Sequence, residues 1–155
     1  MSGLVAAVQN AVPAHCQSSR CSKDRCSVSM KGAPPLRVII DMDCTTLVIS
    51  GSRCDYVFIS EDENSVWVAP IELKSGEVKA SNVEEQLQGG AQFARQFFTA
   101  KDQFNFVPVL AHGKSVHRLE RNKLRQARIR LRGKIQQPVL IRCGDPITKA
   151  LATGT

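Results

Sequence analysis

The sequence predicts a single α/β domain in which a mixed β-sheet is flanked by helices. Short β-branched runs such as residues 38–40 precede a stretch of helical spacing that begins near Ser81. A length of 155 residues with 43% hydrophobic content suits one domain around one core. Residues 1–35 are expected to form a helix at 4–12 and a partly mobile segment. Residues 36–155 are expected to form the remaining domain, with a basic C-terminal hairpin.

The strands of the first half are predicted from local patterns. Residues 38–40 and 47–49 are β-branched runs that indicate two short strands or one bent ribbon. Apolar runs at 55–60 and 65–74 surround a polar connection and predict a β-hairpin. Pro70 cannot donate a backbone hydrogen bond, so it marks an edge position or a bulge within the second strand.

The second half alternates a helix with strands. Residues 81–84 fit a capping box, and apolar residues at helical spacing predict a helix over about 83–99. A further apolar strand is expected at 104–110. Arginines alternate with Ile129 and Leu131 over 128–132, which indicates a strand with one cationic face, followed by a turn toward a second strand at about 138–142.

The charge balance indicates an anionic partner, most commonly nucleic acid. The net charge is +7, and Glu120 is the only acid among the basic residues between Lys114 and Lys134. We expect phosphate contacts from Arg118, Arg121, Lys123, Arg125, Arg128, Arg130, Arg132 and Lys134. No apolar run is long enough to span a membrane and no targeting peptide is recognised, so the expected compartment is the cytoplasm, without a membrane partner.

The six cysteines are expected to be reduced thiols, because the chain is longer than most disulfide scaffolds and shows no export signal. Cys44, Cys54 and Cys143 are interpreted as small core residues. Zinc or iron–sulfur ligation is an alternative for a second group, although its spacing is unlike that of structural zinc pairs. This group consists of His15, Cys16, Cys21 and Cys26.

Asp55, Glu72 and Lys74 form the strongest candidate site. Phosphodiester hydrolysis needs a divalent cation held by carboxylates and a cationic group that orients water and offsets developing charge. Glu72 and Lys74 lie two residues apart on a strand and project from one face. The hairpin register places Asp55 opposite Pro70 or Ile71, beside Glu72. A lone Glu-x-Lys is usually a surface ion pair, but these acids lie within or beside apolar runs.

Three motifs in this order resemble the PD-(D/E)xK nuclease superfamily over about residues 36–110. They are Cys54-Asp55-Tyr56, Ile71-Glu72-Leu73-Lys74-Ser75-Gly76 and Glu85-Gln86-Leu87. The resemblance implies a restriction-endonuclease-like core of a helix, three antiparallel strands, a crossing helix and a further strand. It also implies that Asp55 and Glu72 bind Mg²⁺ or Mn²⁺, that Lys74 orients water and that Gln86 completes the site.

The same resemblance implies an endo- or exodeoxyribonuclease that prefers DNA to RNA and acts in some cases as a homodimer. Many members carry an acidic residue on the first helix. Residues 4–12 contain none, so either Asp41 or Asp43 replaces that ligand, or the ligand is absent. Loss of catalysis with retention of the fold is common in this superfamily, and a catalytically inactive nucleic-acid-binding module is therefore the main alternative.

Three further readings stay open. The stretch Asp41-Met42-Asp43-Cys44-Thr45 resembles the start of haloacid-dehalogenase-type phosphatases, in which the first Asp is the nucleophile, although a hairpin follows here where a parallel βα unit is needed. Gly89-Gly90 indicates either the close approach of a phosphate backbone or tight helix-to-sheet packing. His112 and His117 are expected at the surface or in contact with phosphate.

Overall fold

The computed structural model describes residues 3–154 and has a mixed β-sheet flanked by helices. The four α-helices are α1 (Leu4–Ala11), α2 (Ala80–Ala94), α3 (Arg118–Gln126) and α4 (Ile147–Thr153). The strands are β1 (Gln17–Ser18), β2 (Cys21–Lys23), β3 (Cys26–Val28), β4 (Arg37–Asp41), β5 (Tyr56–Glu61), β6 (Val66–Lys74), β7 (Asn105–Phe106), β8 (Val109–His112), β9 (Ile129–Leu131), β10 (Lys134–Gln136) and β11 (Val139–Arg142).

The main sheet changes from antiparallel to parallel pairing at its centre. Its strand order is β1-β4-β5-β6-β8-β11, and β7 pairs with the start of β6. The pairs from β1 to β6 are antiparallel, whereas β6, β8 and β11 are parallel to one another. Two small hairpins, β2–β3 and β9–β10, lie outside this sheet.

Each face of the sheet has its own core. Val57, Val68 and Leu110 face one core with α1 and α2, while Phe58 and Ile71 face the other with the β2–β3 hairpin and α4. Because side chains alternate along a strand, residues of the same parity as Val57 on β5 and Val68 on β6 point toward α2. Burial on both faces explains why the central strands are nearly uniform apolar runs rather than alternating ones.

The predicted hairpin of β5 and β6 is confirmed, with Tyr56 opposite Ile71 and Val57 opposite Pro70. Pro70, however, lies at neither an edge nor a bulge of this ladder. On its other side, β6 pairs with β7 up to Val68 and with β8 from Ile71 onward. Pro70 thus lies beside the break between β7 and β8, where a missing backbone donor removes no ladder hydrogen bond.

The helix predicted near residues 83–99 begins and ends earlier, as α2, and a single turn of 3₁₀ helix follows it. The predicted capping box is wrong, because Ser81 lies within the helix and the N-cap is Lys79, which makes no side-chain cap bond. The Ala80 N–H instead donates to the Glu120 carboxylate at 3.0 Å. A side chain 40 residues away therefore caps this helix.

The glycine pair in α2 serves close packing. A Cβ on Gly89 would lie 1.8 Å from the backbone oxygen of Ser52, and one on Gly90 would lie 2.3 Å from the sulfur of Cys54. Any larger residue would push the helix off the sheet and off the segment that precedes β5. The packing interpretation of Gly89-Gly90 is therefore the correct one.

Several expectations for strands need correction. Residues 47–49 form no strand, and the side chain of Val48 is 99% exposed. The run 104–110 is divided at Pro108 into β7 and β8. The alternating strand is confirmed as β9, but its hairpin partner is β10, and the residues predicted as that partner form β11 of the main sheet. Helices α3 and α4 were not predicted.

The expectation of reduced thiols is wrong for four of the six cysteines. Disulfides join Cys16 to Cys44 and Cys26 to Cys143, across 28 and 117 residues of sequence. Folding brings each pair together, which local spacing could not show. Cys21 and Cys54 are free and buried. The predicted core position of Cys54 is therefore confirmed. The segment predicted to be partly mobile carries β1, β2 and β3, and Cys16, Cys21 and Cys26 are buried in it.

The same pairing removes the metal-ligating alternative for this segment. His15 lies close enough to Cys16 and Cys44 for all three to share an ion, but the two sulfurs are bonded to each other. A disulfide sulfur has no thiolate to offer, and thiolate is the zinc ligand. Across residues 3–154, no helix is both long and apolar enough to cross a bilayer.

Candidate active site

Asp55, Glu72, Lys74 and Gln86 meet at one end of the main sheet, on its α2 face. Glu72 and Lys74 share the side of β6 on which Val68 faces α2, because they are separated from Val68 by even numbers of residues. Asp55 directly precedes β5 and donates its backbone N–H to the Ile71 carbonyl at 3.1 Å. The hairpin register therefore places the two acidic residues side by side, as predicted.

Asp55 is held by one backbone group and one side chain. Its carboxylate is only 5% exposed. Oδ2 accepts a hydrogen bond from the Leu73 N–H at 2.8 Å, and Oδ1 accepts one from the Lys23 ammonium at 2.7 Å. These two partners fix the plane of the carboxylate at the end of β6.

Glu72 is 2% exposed, and its two carboxylate oxygens differ sharply. Oε2 lies 3.1 Å from the Lys74 ammonium. The Gln86 amide is assigned with its nitrogen toward the sheet, which lets it donate to Oε2 at 2.9 Å and to the Asn82 carbonyl at 3.1 Å. Oε1 is buried without a hydrogen-bond partner among the residues that the structure describes. An ionised oxygen in that position needs a cation or a proton.

Burial raises the pKa of Glu72 from its ordinary value near 4.5 to about 7. The neighbouring Asp55 adds to the shift, since its carboxyl lies within hydrogen-bonding range, and Lys74 opposes it. Two carboxyl groups this close cannot both be ionised without a large cost in free energy unless a positive charge lies between them. A divalent cation bound there would supply that charge.

Of the two candidate additional acids, the structure brings only Asp43 to the site. Asp43 accepts a hydrogen bond from the Lys23 ammonium at 3.1 Å, and the same ammonium contacts Asp55. Asp41 alternates with Ile40 on β4 and projects from the opposite face of the sheet, where its carboxylate accepts the Asp43 backbone N–H. A metal ligand on the α2 face cannot come from Asp41.

The phosphatase alternative loses its structural context as well. Strand β4, which ends at Asp41, has antiparallel neighbours on both sides. No helix lies between β4 and β5, so this segment lacks the parallel βα unit that such an enzyme needs.

Lys23 is the site residue that sequence reasoning missed. It lies in the Ser- and Cys-containing segment that was expected to be mobile in part. Its contact with Asp55 spans 32 residues. No motif surrounds it, and the adjacent cysteines suggested metal binding rather than an ion pair. Only the fold reveals that the β2–β3 hairpin lies beside the carboxylates.

The residues predicted to contact phosphate lie on α3, on the β9–β10 hairpin and, for Arg128, on the link between them. Helix α3 and the hairpin pack against α2. The α2 residue Gln88 pairs with the backbone of Arg130, accepting its N–H at 2.9 Å and donating to its carbonyl at 3.0 Å. Arg121 is half-buried, and Lys123 is paired with Glu120 at 3.3 Å. The rest are exposed: Arg118, Arg125, Arg128, Arg130, Arg132 and Lys134. Helix α2 thus carries Gln86 toward the carboxylates and Gln88 toward this cationic surface.

The two histidines differ. His112 pairs in register with Lys74 and is only 5% exposed, so the expectation of a surface position is wrong for it. One ring nitrogen lies 2.9 Å from the Lys114 carbonyl. His117 is exposed and caps α3 by accepting the Leu119 N–H.

Comparison with protein-family models, with curated proteins and with solved structures gave no match.

Proposed function

We propose that this protein is a metal-dependent nuclease that hydrolyses phosphodiester bonds, with DNA as its substrate. The observation that carries the proposal is the buried, unpartnered Oε1 of Glu72 beside the Asp55 carboxylate. Oxygen ligands of this kind suit Mg²⁺ or Mn²⁺, which prefer carboxylates and retain several water ligands. The site lies next to Lys74, whose side chain is 28% exposed and therefore accessible to water and substrate.

The restriction-endonuclease-like core is part of this proposal. Helix α1, the antiparallel strands β4, β5 and β6, the crossing helix α2 and the parallel strand β8 follow one another in the order that the resemblance implies. This order and the four converging site residues support the assignment jointly.

Each side chain has a distinct role in the proposed reaction. Asp55 and Glu72 would hold the cation, which when bound polarises the phosphate and acidifies water. Lys74 orients the attacking water and offsets negative charge on the phosphate as it accepts the nucleophile. Gln86 donates to Glu72 Oε2 and so leaves Oε1 as the oxygen that would be available to a cation.

The cationic surface of α3 and β9–β10 would contact the phosphate backbone. Exposed arginines neutralise phosphates without reading bases, so binding is expected to depend strongly on salt and weakly on sequence. The preference for DNA and the homodimer are proposals from the resemblance. The two disulfides favour an oxidising compartment over the cytoplasm that the sequence suggests.

The test is incubation of plasmid, linear double-stranded and single-stranded DNA, together with RNA, in Mg²⁺, Mn²⁺ or EDTA. Wild type is compared with Glu72→Gln and Lys74→Met. Glu77→Gln and Lys79→Met are matched controls, because both residues are exposed and lie just beyond the site. We expect metal-dependent cleavage that falls by about 10²-fold or more in the site variants, as loss of electrostatic catalysis predicts, and persists in the controls.

Nucleic-acid binding measured in EDTA distinguishes the proposed nuclease from the main alternative, a catalytically inactive binding module. Retained, salt-dependent binding with no cleavage under any metal condition would identify an inactive binding module on a nuclease fold. Cleavage that is unaffected in Glu72→Gln would contradict the proposed site itself.

A further inference from the structure

The β2–β3 hairpin brings a second lysine to the carboxylates. The Lys23 ammonium lies 2.7 Å from Asp55 Oδ1 and 3.1 Å from Asp43 Oδ2. Asp55 is buried, whereas the Lys23 side chain is 42% exposed. A positive charge therefore bridges the two acids at the solvent side of the site.

The backbone around Lys23 is fixed from several directions. Lys23 pairs with Cys26 across a two-residue turn in which Asp24 and Arg25 both have positive φ, the geometry of a tight I′ hairpin. The Tyr56 hydroxyl donates to the Ser22 carbonyl at 2.9 Å. The disulfide of Cys26 ties the hairpin to the residue that follows β11. The hairpin cannot easily leave the site, so only the Lys23 side chain is free to move.

A divalent cation between Asp55 and Glu72 would repel an ammonium on Asp55 Oδ1, because like charges a few ångströms apart oppose each other. Because 42% of the Lys23 side chain is exposed whereas Asp55 is buried, a substrate phosphate can reach this ammonium from solvent. A phosphate arriving there offers the ammonium a new anionic partner.

We propose that Lys23 is a further active-site residue that pairs with Asp43 and Asp55 before a divalent cation binds and contacts the substrate phosphate afterwards. This inference rests on the proposed nuclease function, because it assumes a cation between Asp55 and Glu72. It adds a second lysine, on a separate element, to the residues that the resemblance implies. The Lys23 ammonium competes with the cation for Asp55 and assists binding of the substrate phosphate. Its removal should therefore strengthen metal binding and weaken substrate binding.

The experiment measures Mn²⁺ binding alone by calorimetry, then DNA cleavage at saturating Mn²⁺, for wild type and Lys23→Met. Lys31→Met is the matched control, since it removes the same charge from an exposed position on the segment that follows the hairpin. We expect Lys23→Met to bind Mn²⁺ about threefold to tenfold more tightly, in keeping with the modest energies of partly exposed ion pairs. At saturating Mn²⁺ its KM for DNA rises and its kcat/KM falls.

Lys23→Arg keeps the charge and should stay close to wild type in both measurements, which tests the inference even if Lys23→Met folds poorly. The inference is overturned if Lys23→Met leaves Mn²⁺ affinity unchanged or weaker, if cleavage at saturating Mn²⁺ is unaffected, or if Lys23→Arg behaves as Lys23→Met does. Failure of the nuclease proposal is distinct: wild type would then bind Mn²⁺ no better than Glu72→Gln.

Discussion

Glu72 illustrates how one side chain can be costly to the fold and useful to a site. Its carboxyl is buried between Lys74, Gln86 and Asp55, and one oxygen lacks a hydrogen bond within the described part of the chain. Such a group stabilises the protein only when it is protonated or when a cation occupies the space beside it. The metal-free protein should therefore show the cost in its response to pH.

With EDTA present, we expect the metal-free protein to lose stability as pH rises from about 4.5 to about 7. The pKa of Glu72 is near 4.5 when exposed and about 7 in the fold. Between these values the folded protein keeps a proton that the unfolded chain has released, so raising the pH favours unfolding. The Glu72→Gln variant keeps the shape without the titration, and its stability should vary less over this range.

Thermal unfolding of both proteins across this pH range provides the measurement. Equal pH dependence in wild type and Glu72→Gln would show that Glu72 does not carry the raised pKa.

Most of the candidate site was predictable, because Asp55, Glu72, Lys74 and Gln86 all lie within the stretch 55–86. Strand alternation places Glu72 and Lys74 on one face, and the short connection of the hairpin limits where Asp55 can lie. Gln86 follows from the helix that comes next. Lys23 was not predictable, because its position depends on the docking of a separate hairpin against the opposite core.

At the level of elements, the start of α2 and its packing on the sheet are determined by tertiary contacts rather than by capping or propensity signals in its own sequence. Its first N–H is capped by Glu120, and its glycine pair lets Ser52, Cys54 and Pro70 approach its backbone. Glycine lowers helix propensity by about 1 kcal/mol relative to alanine. The close approach offsets this intrinsic cost by letting the helix pack directly on β6.

Gly90→Ala should destabilise the protein by about 1–3 kcal/mol, the usual cost of overpacking a core. A Cβ at this position would lie 2.3 Å from the Cys54 sulfur and 2.9 Å from Pro70 Cβ. Gly76→Ala is the control, because a Cβ there would meet nothing within 4 Å. Urea unfolding of the two variants gives the comparison. An alanine at Gly90 that raised stability would show that helix propensity outweighs the clash.

The elements identified from the sequence are those with apolar runs or clear periodicity, among them β4, β5, β6, α2 and β9. Residues 47–49 were misassigned because Leu47 and Ile49 pack against the first core from a loop, without pairing to another strand, while Val48 is exposed. Helix α3 was missed because its apolar face is narrow: Leu124 is its only buried residue. In the sequence its many charged residues looked like an ordinary basic segment. Their helical arrangement is evident only in the structure, where α3 packs on α2.

At the scale of the whole molecule, one disulfide reinforces the paired strands β1 and β4 of the main sheet, and the other attaches a hairpin that lies outside that sheet. Cys16–Cys44 links the end of the first helical region to the segment after β4, and Cys26–Cys143 links the β2–β3 hairpin to the end of β11. Apart from this bridge, the hairpin is held by its apolar face against the second core, by the Tyr56–Ser22 hydrogen bond and by the Lys23–Asp55 ion pair. Covalent attachment of the hairpin restricts the unfolded chain far more than the folded one.

Replacing Cys26 and Cys143 together with alanine should lower the free energy of unfolding by about 4 kcal/mol, since the cross-linked loop is long. Wild type under reducing conditions should lose at least as much stability, because the reductant also breaks Cys16–Cys44. Thermal unfolding with and without reductant provides the test, and a thiol titration of the denatured, unreduced protein should find only Cys21 and Cys54. A titration that finds all six thiols would contradict both bridges.

The bridge between Cys26 and Cys143 also makes most of the chain a closed covalent ring. Asp55, Glu72, Lys74 and Gln86 all lie within the 117-residue span that it encloses, and so does the exposed Val48. A protease that cut once next to Val48 would therefore leave two fragments that remain one molecule until the bridge is reduced. Each fragment would still hold part of the site, with Lys23 on one and Asp55, Glu72 and Lys74 on the other. The bridge would keep the two fragments close enough to reassemble.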